Sequence, residues 1–342
     1  MPSLKEIKGR INSISSTLAI TSAMKMVAAA KLQKAQMAIQ NMLPYERRLH
    51  SMLIDLMGAV NMSAPASEEG SARLVSLSNQ PDHTESEGAY SLMAQRQVRK
   101  VAIVAFASNS SLCGAFNSNV IREATAVINE YRASGLGDAD ITVYSVGRKM
   151  AEAMRKLGFP SPADFTKMSD SPSYDAASAL AQELFDGFVS GRFDKVELVY
   201  NHYKSTSSQP TTRQTYLPLS LADATADIQV GKITDSASEP YADKVAEPVV
   251  RQNSPTTETP DLIVEPSKEE LIATLLPKVV RLRVFTTLLD STAAEHAART
   301  VAMQLATDNG NDLLQELTLE YNKGRQQKIT SEILDLVGGS MQ

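Results

Sequence analysis

The residues best suited to chemistry lie in one stretch, Ser108-Asn109-Ser110-Ser111-Leu112-Cys113-Gly114-Ala115-Phe116-Asn117, between an apolar run and a helical pattern. A loop that leaves a strand and enters a helix is where α/β proteins bind ligands. Cys113 stands near the helix start, a position that lowers a thiol pKa and makes a nucleophile. The commoner role for such a side chain is small buried filler. Ser110 and Ser111 lack the G-x-S-x-G elbow, and no His or Asp is placed by motif to complete a triad. With Gly114 as its one glycine, the loop matches neither G-x-G-x-x-G nor G-x-x-x-x-G-K-[ST], so a phosphate cradle is unsupported. His50, His83, His202 and His296 are too scattered for a metal site, and Glu269-Glu270 is explained by helix capping. No cofactor and no metal are expected, and nothing marks the chain as an enzyme by itself.

The elements around that loop are more informative. Stepping alternately by three and four from Leu4 reaches Ile7, Ile11, Ile14, Leu18, Thr21, Lys25, Ala28, Leu32, Ala35, Ile39, Met42, Glu46, Leu49, Leu53, Leu56 and Val60. All but Thr21, Lys25 and Glu46 are apolar, a heptad pattern much longer than an ordinary globular helix. Such a helix is about 85 Å long. Its 3.5-residue period predicts a left-handed supercoil with a partner helix. Gly9 weakens it by about 1 kcal/mol relative to Ala, and Pro44 predicts a kink or break. Residues 61–97 then lose all periodicity and read as a flexible linker or insertion.

The run Lys100–Ala107 reads as a strand buried on both faces. Helices are predicted at 118–132, 147–157 and 175–190, with strands at 141–146, 195–203 and 213–219. This alternation means βαβ units and a mainly parallel sheet, a Rossmann-like three-layer domain over 98–221. Residues 222–266, rich in acids, Pro, Ser and Thr, read as a second insertion, or alternatively a hairpin on the sheet edge. A final helix spans 267–342, with Ser267 as N-cap, Glu270 three residues on, a kink at Pro277 and a stop at Gly338-Gly339. It is long enough to pair antiparallel with the first helix. The fold class is therefore α/β, with a long antiparallel coiled coil of the N- and C-terminal helices (1–60 and 267–342) carrying a central Rossmann-like domain.

Hydrophobic residues at 43% and charged ones at 21% indicate a globular protein with a substantial core. The lone cysteine excludes an internal disulfide. Aromatics at 5% with no Trp argue against stacking single-stranded nucleic acid. Net charge is −5, unevenly spread: Lys5, Lys8, Arg10, Lys25, Lys31 and Lys34 make the first helix basic, while acids outnumber bases over 220–270. On residues alone, three readings stay open. They are a mechanical shaft, a free-standing α/β ligand-binding protein or enzyme with coiled-coil arms, and a homodimeric scaffold.

Three motifs, in order, decide among them: Ile20–Leu32 (ITSAMKMVAAAKL), Leu112–Asn119 (LCGAFNSN), and Glu295–Arg299 (EHAAR) followed by Glu316–Gln326 (ELTLEYNKGRQ) and Ile329–Ile333. Together they resemble the gamma subunit of the rotary (F-type) ATP synthase over nearly the whole chain outside the two irregular stretches. The resemblance implies a non-catalytic rotor shaft, which couples rotation of a proton- or sodium-driven c ring to conformational cycling of the catalytic beta subunits. It implies the alpha and beta subunits, the epsilon subunit and the c ring as partners. It also implies a peripheral position on the cytoplasmic face of a bacterial inner membrane. By motif, Met24, Lys25, Arg325, Gln326 and Thr330 fall at contacts with beta, and Lys204 and Gln209 fall in a foot near the c ring. The family's charged Ser-Asp-Arg-Gly loop is here Ser108-Asn109-Ser110-Ser111. At least one of the two irregular stretches is expected to be a regulatory or docking insertion.

Overall fold

The computed structural model describes residues 3–62, 92, 96–219, 264–265 and 267–339. Most of 61–97 and 222–266 lies outside them, and with it the expected role of the insertions. The first helix, α1 (Leu4–Met62), runs without a break. Every heptad position from Leu4 to Leu56 is buried or half-buried, so the 3.5-residue seam is the packed face. Pro44 lies inside α1 rather than ending it. It is exposed, so its ring meets solvent rather than the packed seam.

Four strands form one sheet: β1 (Val101–Phe106), β2 (Ile141–Val146), β3 (Lys195–Asn201) and β4 (Thr211–Leu217). Their order is β2-β1-β3-β4. β1 pairs parallel with β2 and β3, and β4 pairs antiparallel with β3. The helices between them are α2 (Phe116–Ala133), α3 (Arg148–Lys156), α4 (Thr166–Asp170) and α5 (Tyr174–Val189). The short α4 has no counterpart in the sequence reading, because five residues cannot show a helical period. Gly147 makes the β2–α3 turn possible: its φ is +95°, and a Cβ there would lie 2.0 Å from the Ala107 carbonyl oxygen.

Every β1 residue is buried, as a strand covered on both faces must be. Val101, Ile103 and Ala105 pack with α2 and α3 residues such as Val120, Ile128 and Met150. Ala102, Val104 and Phe106 pack on the other face with α5, with the lower part of α1 (Leu49, Leu53, Leu56), and with the last helix. That helix, α6 (Lys268–Gly339), continues through Pro277. The Ser267 hydroxyl accepts the Glu270 N–H at 3.2 Å, as its N-cap position predicts.

The two long helices are antiparallel. Glu46 accepts from Thr286 at 3.1 Å, the Thr21 and Thr307 hydroxyls are 3.1 Å apart, Leu18 lies over Gly310, and Leu4 lies over Gly324. The last fifteen residues of α6 therefore extend beyond α1 as a single helix.

Leu92 is fully buried in the core under the sheet, and its carbonyl accepts the Leu219 N–H at 2.9 Å. At this point the stretch 61–97 is anchored to the domain.

Candidate functional site

The site suggested by chemistry, the Ser108–Asn117 loop, is closed. Cys113 is buried, and burial pushes its thiol pKa up. Asn117 fastens the loop to itself: its Oδ1 accepts the Ser108 N–H at 3.0 Å, and its Nδ2 donates to the Ser110 carbonyl at 3.2 Å. Asn109 accepts the Arg148 N–H at 2.7 Å and donates to the Thr166 carbonyl at 2.7 Å, tying β1 to α3 and α4. Ser110 accepts a 2.7 Å hydrogen bond from Arg299 of α6. This loop is thus a brace to the shaft, and a thiol held protonated in it is a poor nucleophile.

The brace has an electrostatic interior. Arg299 also donates to Glu295 at 2.8 Å, one turn earlier, and both are buried. Burial pushes the Glu295 carboxyl up, opposed by Arg299. His296 is lowered to about 4, first by burial and then by Arg299, so it is neutral at neutral pH. The Glu295–Arg299 motif read from sequence is therefore the surface of α6 on which the α/β domain sits.

A second brace, absent from the sequence reading, leaves the end of β3. His202 Nδ1 and Tyr203 N–H reach the two oxygens of Asp290 at 2.6 and 2.8 Å, and Gln36 of α1 donates to the Tyr203 hydroxyl at 2.7 Å. The hydrogen bond to Asp290 raises the His202 pKa. The only sequence signal for it was Asp290 itself, a carboxylate on a helix stretch otherwise buried nearly all round.

Lys204 and Gln209 lie in the turn directly after this brace, Lys204 exposed and Gln209 half-buried. The turn is level with Gln36, and α1 runs 26 residues further, about 39 Å, before it ends at Met62. The pair belongs to the shoulder from which the coiled coil rises. The same holds for the Ser108–Ser111 loop.

The remaining sequence-predicted contacts lie along the free part of the shaft. Met24 and Lys25 are half-buried on α1, whereas Arg325, Gln326 and Thr330 are exposed on the single-helix overhang. Thr21 opposite Thr307 sets Lys25 opposite residue 303, so the two groups are about 33 Å apart along the axis. The structure does not bring them together. Between and beyond them the shaft exposes Ile20, Met26, Val27, Leu305, Leu313, Leu319, Ile333 and Leu336, each at least half exposed. A rod with this much apolar surface is built to be enclosed.

The match to the ATP synthase family covers residues 3–341. The ATP synthase gamma chain of Phocaeicola vulgatus is 48% identical over the full length of both chains, and that of Bacteroides fragilis is 45% identical over the full length of both. This chain belongs to the ATP synthase gamma-chain family. A chain of the Euglena gracilis mitochondrial ATP synthase, solved with its F1 and c-ring parts, shares the fold at a TM-score of 0.55 and 18% identity, over 99% of this chain and 93% of that one. Family membership agrees with the closed Cys113 loop: gamma chains are non-catalytic subunits. Among the described residues no group of His, Cys, Asp and Glu is placed to hold a metal ion. No described helix is long and apolar enough to cross a membrane.

Proposed function

We propose that the chain is the central shaft of a rotary ATP synthase, turned by a c ring at its remote end and driving conformational change in catalytic beta subunits around its tip. The observation that carries this reading is the shape: an antiparallel coiled coil rising from an α/β domain and ending in a single-helix overhang with exposed apolar side chains. A rod of two unlike helices is asymmetric, and only an asymmetric rod biases identical surrounding sites differently. Met24 and Lys25 at mid-shaft, and Arg325, Gln326 and Thr330 on the overhang, are assigned to beta contacts. The basic side chains of α1 suit acidic loops, through exposed pairs that contribute little each, which permits sliding. The c-ring contact is assigned to the end beyond Leu56 and Leu275, and the epsilon subunit to the α/β domain beside it. The complex is peripheral to the cytoplasmic face of a bacterial inner membrane.

Reconstitution with the cognate alpha and beta subunits tests this. One copy per three alpha–beta pairs, with ATP hydrolysis that depends on this chain, is the expected result. A chain that elutes alone and leaves hydrolysis unchanged overturns it.

A further inference from the structure

We propose that Tyr203 is the positioning residue that locks the α/β domain to the shaft against twisting, so that torque passes between the two through the turn after β3. This rests on the shaft reading above. Apolar packing between sheet and helices resists separation, but it is non-directional and permits sliding. Directional bonds held away from the helix axis are what oppose rotation.

Tyr203 supplies such bonds to both helices. It packs against two buried clusters, one of Leu32, Ala35, Ala293 and Ala297 and the other of Cys113, Phe116 and Ala294. Its hydroxyl takes the Gln36 hydrogen bond from α1, and its N–H gives one to Asp290 of α6. The Ser110–Arg299 brace, by contrast, engages α6 alone.

The turn is stiff enough to carry load. Ser205 and Ser208 exchange backbone hydrogen bonds at 3.1 and 3.2 Å, and Gln209 Nε2 closes onto the carbonyls of Ser205 and Thr206 at 3.0 and 2.6 Å. Behind it, the Asn201 amide donates to the Phe116 carbonyl at 3.0 Å and accepts from Thr211 at 2.7 Å, fixing β3 to α2 and β4. A path of directional contacts therefore runs from the sheet to both shaft helices.

The test uses the whole enzyme in inverted membrane vesicles, following ATP hydrolysis and ATP-driven ion uptake with proton and sodium probes. Tyr203→Ala is expected to assemble and hydrolyse ATP, while ion uptake per ATP falls about threefold or more. Tyr203→Phe, which loses the Gln36 hydrogen bond but keeps the ring and, like Tyr203→Ala, the backbone bond to Asp290, is expected to show an intermediate fall. A merely structural role would lower assembly and hydrolysis together and leave their ratio to uptake intact. Uptake per ATP that is unchanged in Tyr203→Ala overturns the proposal. Should that variant not assemble, the Gln36→Ala, Asp290→Ala pair, which removes only the polar ties, decides by the same ratio. Failure of the shaft reading is separate and visible in the unsubstituted enzyme, as hydrolysis that does not need this chain.

Discussion

The α/β domain and the free shaft bury their apolar residues in opposite ways. In the domain, Val104, Leu198, Leu180 and Tyr216 are at most 1% exposed, and buried polar side chains such as Asn201 and Glu197 are satisfied internally, the Ser145 hydroxyl being an exception. Glu197 on β3 is the clearest case. It accepts from Tyr131 at 2.6 Å and from Arg213 at 2.7 Å, pairs with Lys195 at 2.6 Å, and these partners hold its pKa below the usual range against the cost of burial. Along the shaft, Leu336 is 74% exposed and Leu319 is 65% exposed. One region is complete alone, and the other is completed by what surrounds it. Stability and activity should therefore separate by position.

The largest effect tests the domain. Leu198→Ala removes a fully buried side chain and is expected to destabilise the chain by about 2–5 kcal/mol, read by denaturant unfolding. Leu305→Ala, at 58% exposure, is expected to change the same measurement by less than about 0.5 kcal/mol. Its effect belongs in the hydrolysis rate of the reconstituted complex. Equal stability losses at the two sites would remove the distinction.

Gly310→Val comes next. A Cβ at Gly310 lies 2.6 Å from Leu18 Cδ2, so the helices must part or Leu18 must turn away. The expected loss is about 1–3 kcal/mol, confined to the shaft, with faster amide exchange in the first turns of α1 and no change in the sheet. Leu18→Ala should recover part of it.

The junction responds to pH with two opposite signs. His50 and His296 are each lowered to about 4, mainly by burial, so between that value and the unfolded value near 6.5 the unfolded chain binds more protons. Stability from these groups is lost as pH falls through that window, and His296→Gln should flatten it. His202 has the reverse linkage. Its raised pKa gives stability that is complete below the unfolded value and is lost as pH rises through the folded one. Asp290→Asn should abolish that second dependence and leave the first.

Ser267→Ala is the smallest change. Loss of the 3.2 Å cap is expected to cost about 1 kcal/mol, visible as fraying of the first turn of α6.

What was legible in the sequence follows the same division. The apolar run 100–107 and the heptads of α1 are extended signals, and each became the element it predicts, with ends shifted by no more than three residues. Thr211 and Thr212 join β4 because pairing with β3, not their hydropathy, defines the strand. Pro44 and Pro277 lie inside helices because tertiary packing outweighs the local penalty. The braces were illegible. Gln36, Tyr203 and Asp290 are far apart in the chain, and a single polar tie has no period. The height of the turn that holds Lys204 and Gln209 was hidden for the same reason, since Gln36 and Asp290 set it.

The antiparallel register also dictates an order of assembly. Glu46 meets Thr286 at the shoulder, and Leu4 meets Gly324 near the tip. Sequence separation between partners therefore grows steadily along the shaft. The α/β domain, whose paired strands lie closer in the chain than the partners along the shaft, can fold first and bring the two long helices alongside each other. Loop closure is then already settled, and each further pair adds beside the last at little extra entropy. The shaft closes like a zip from the shoulder upward, and its outer end, the last to close, is the first to fray.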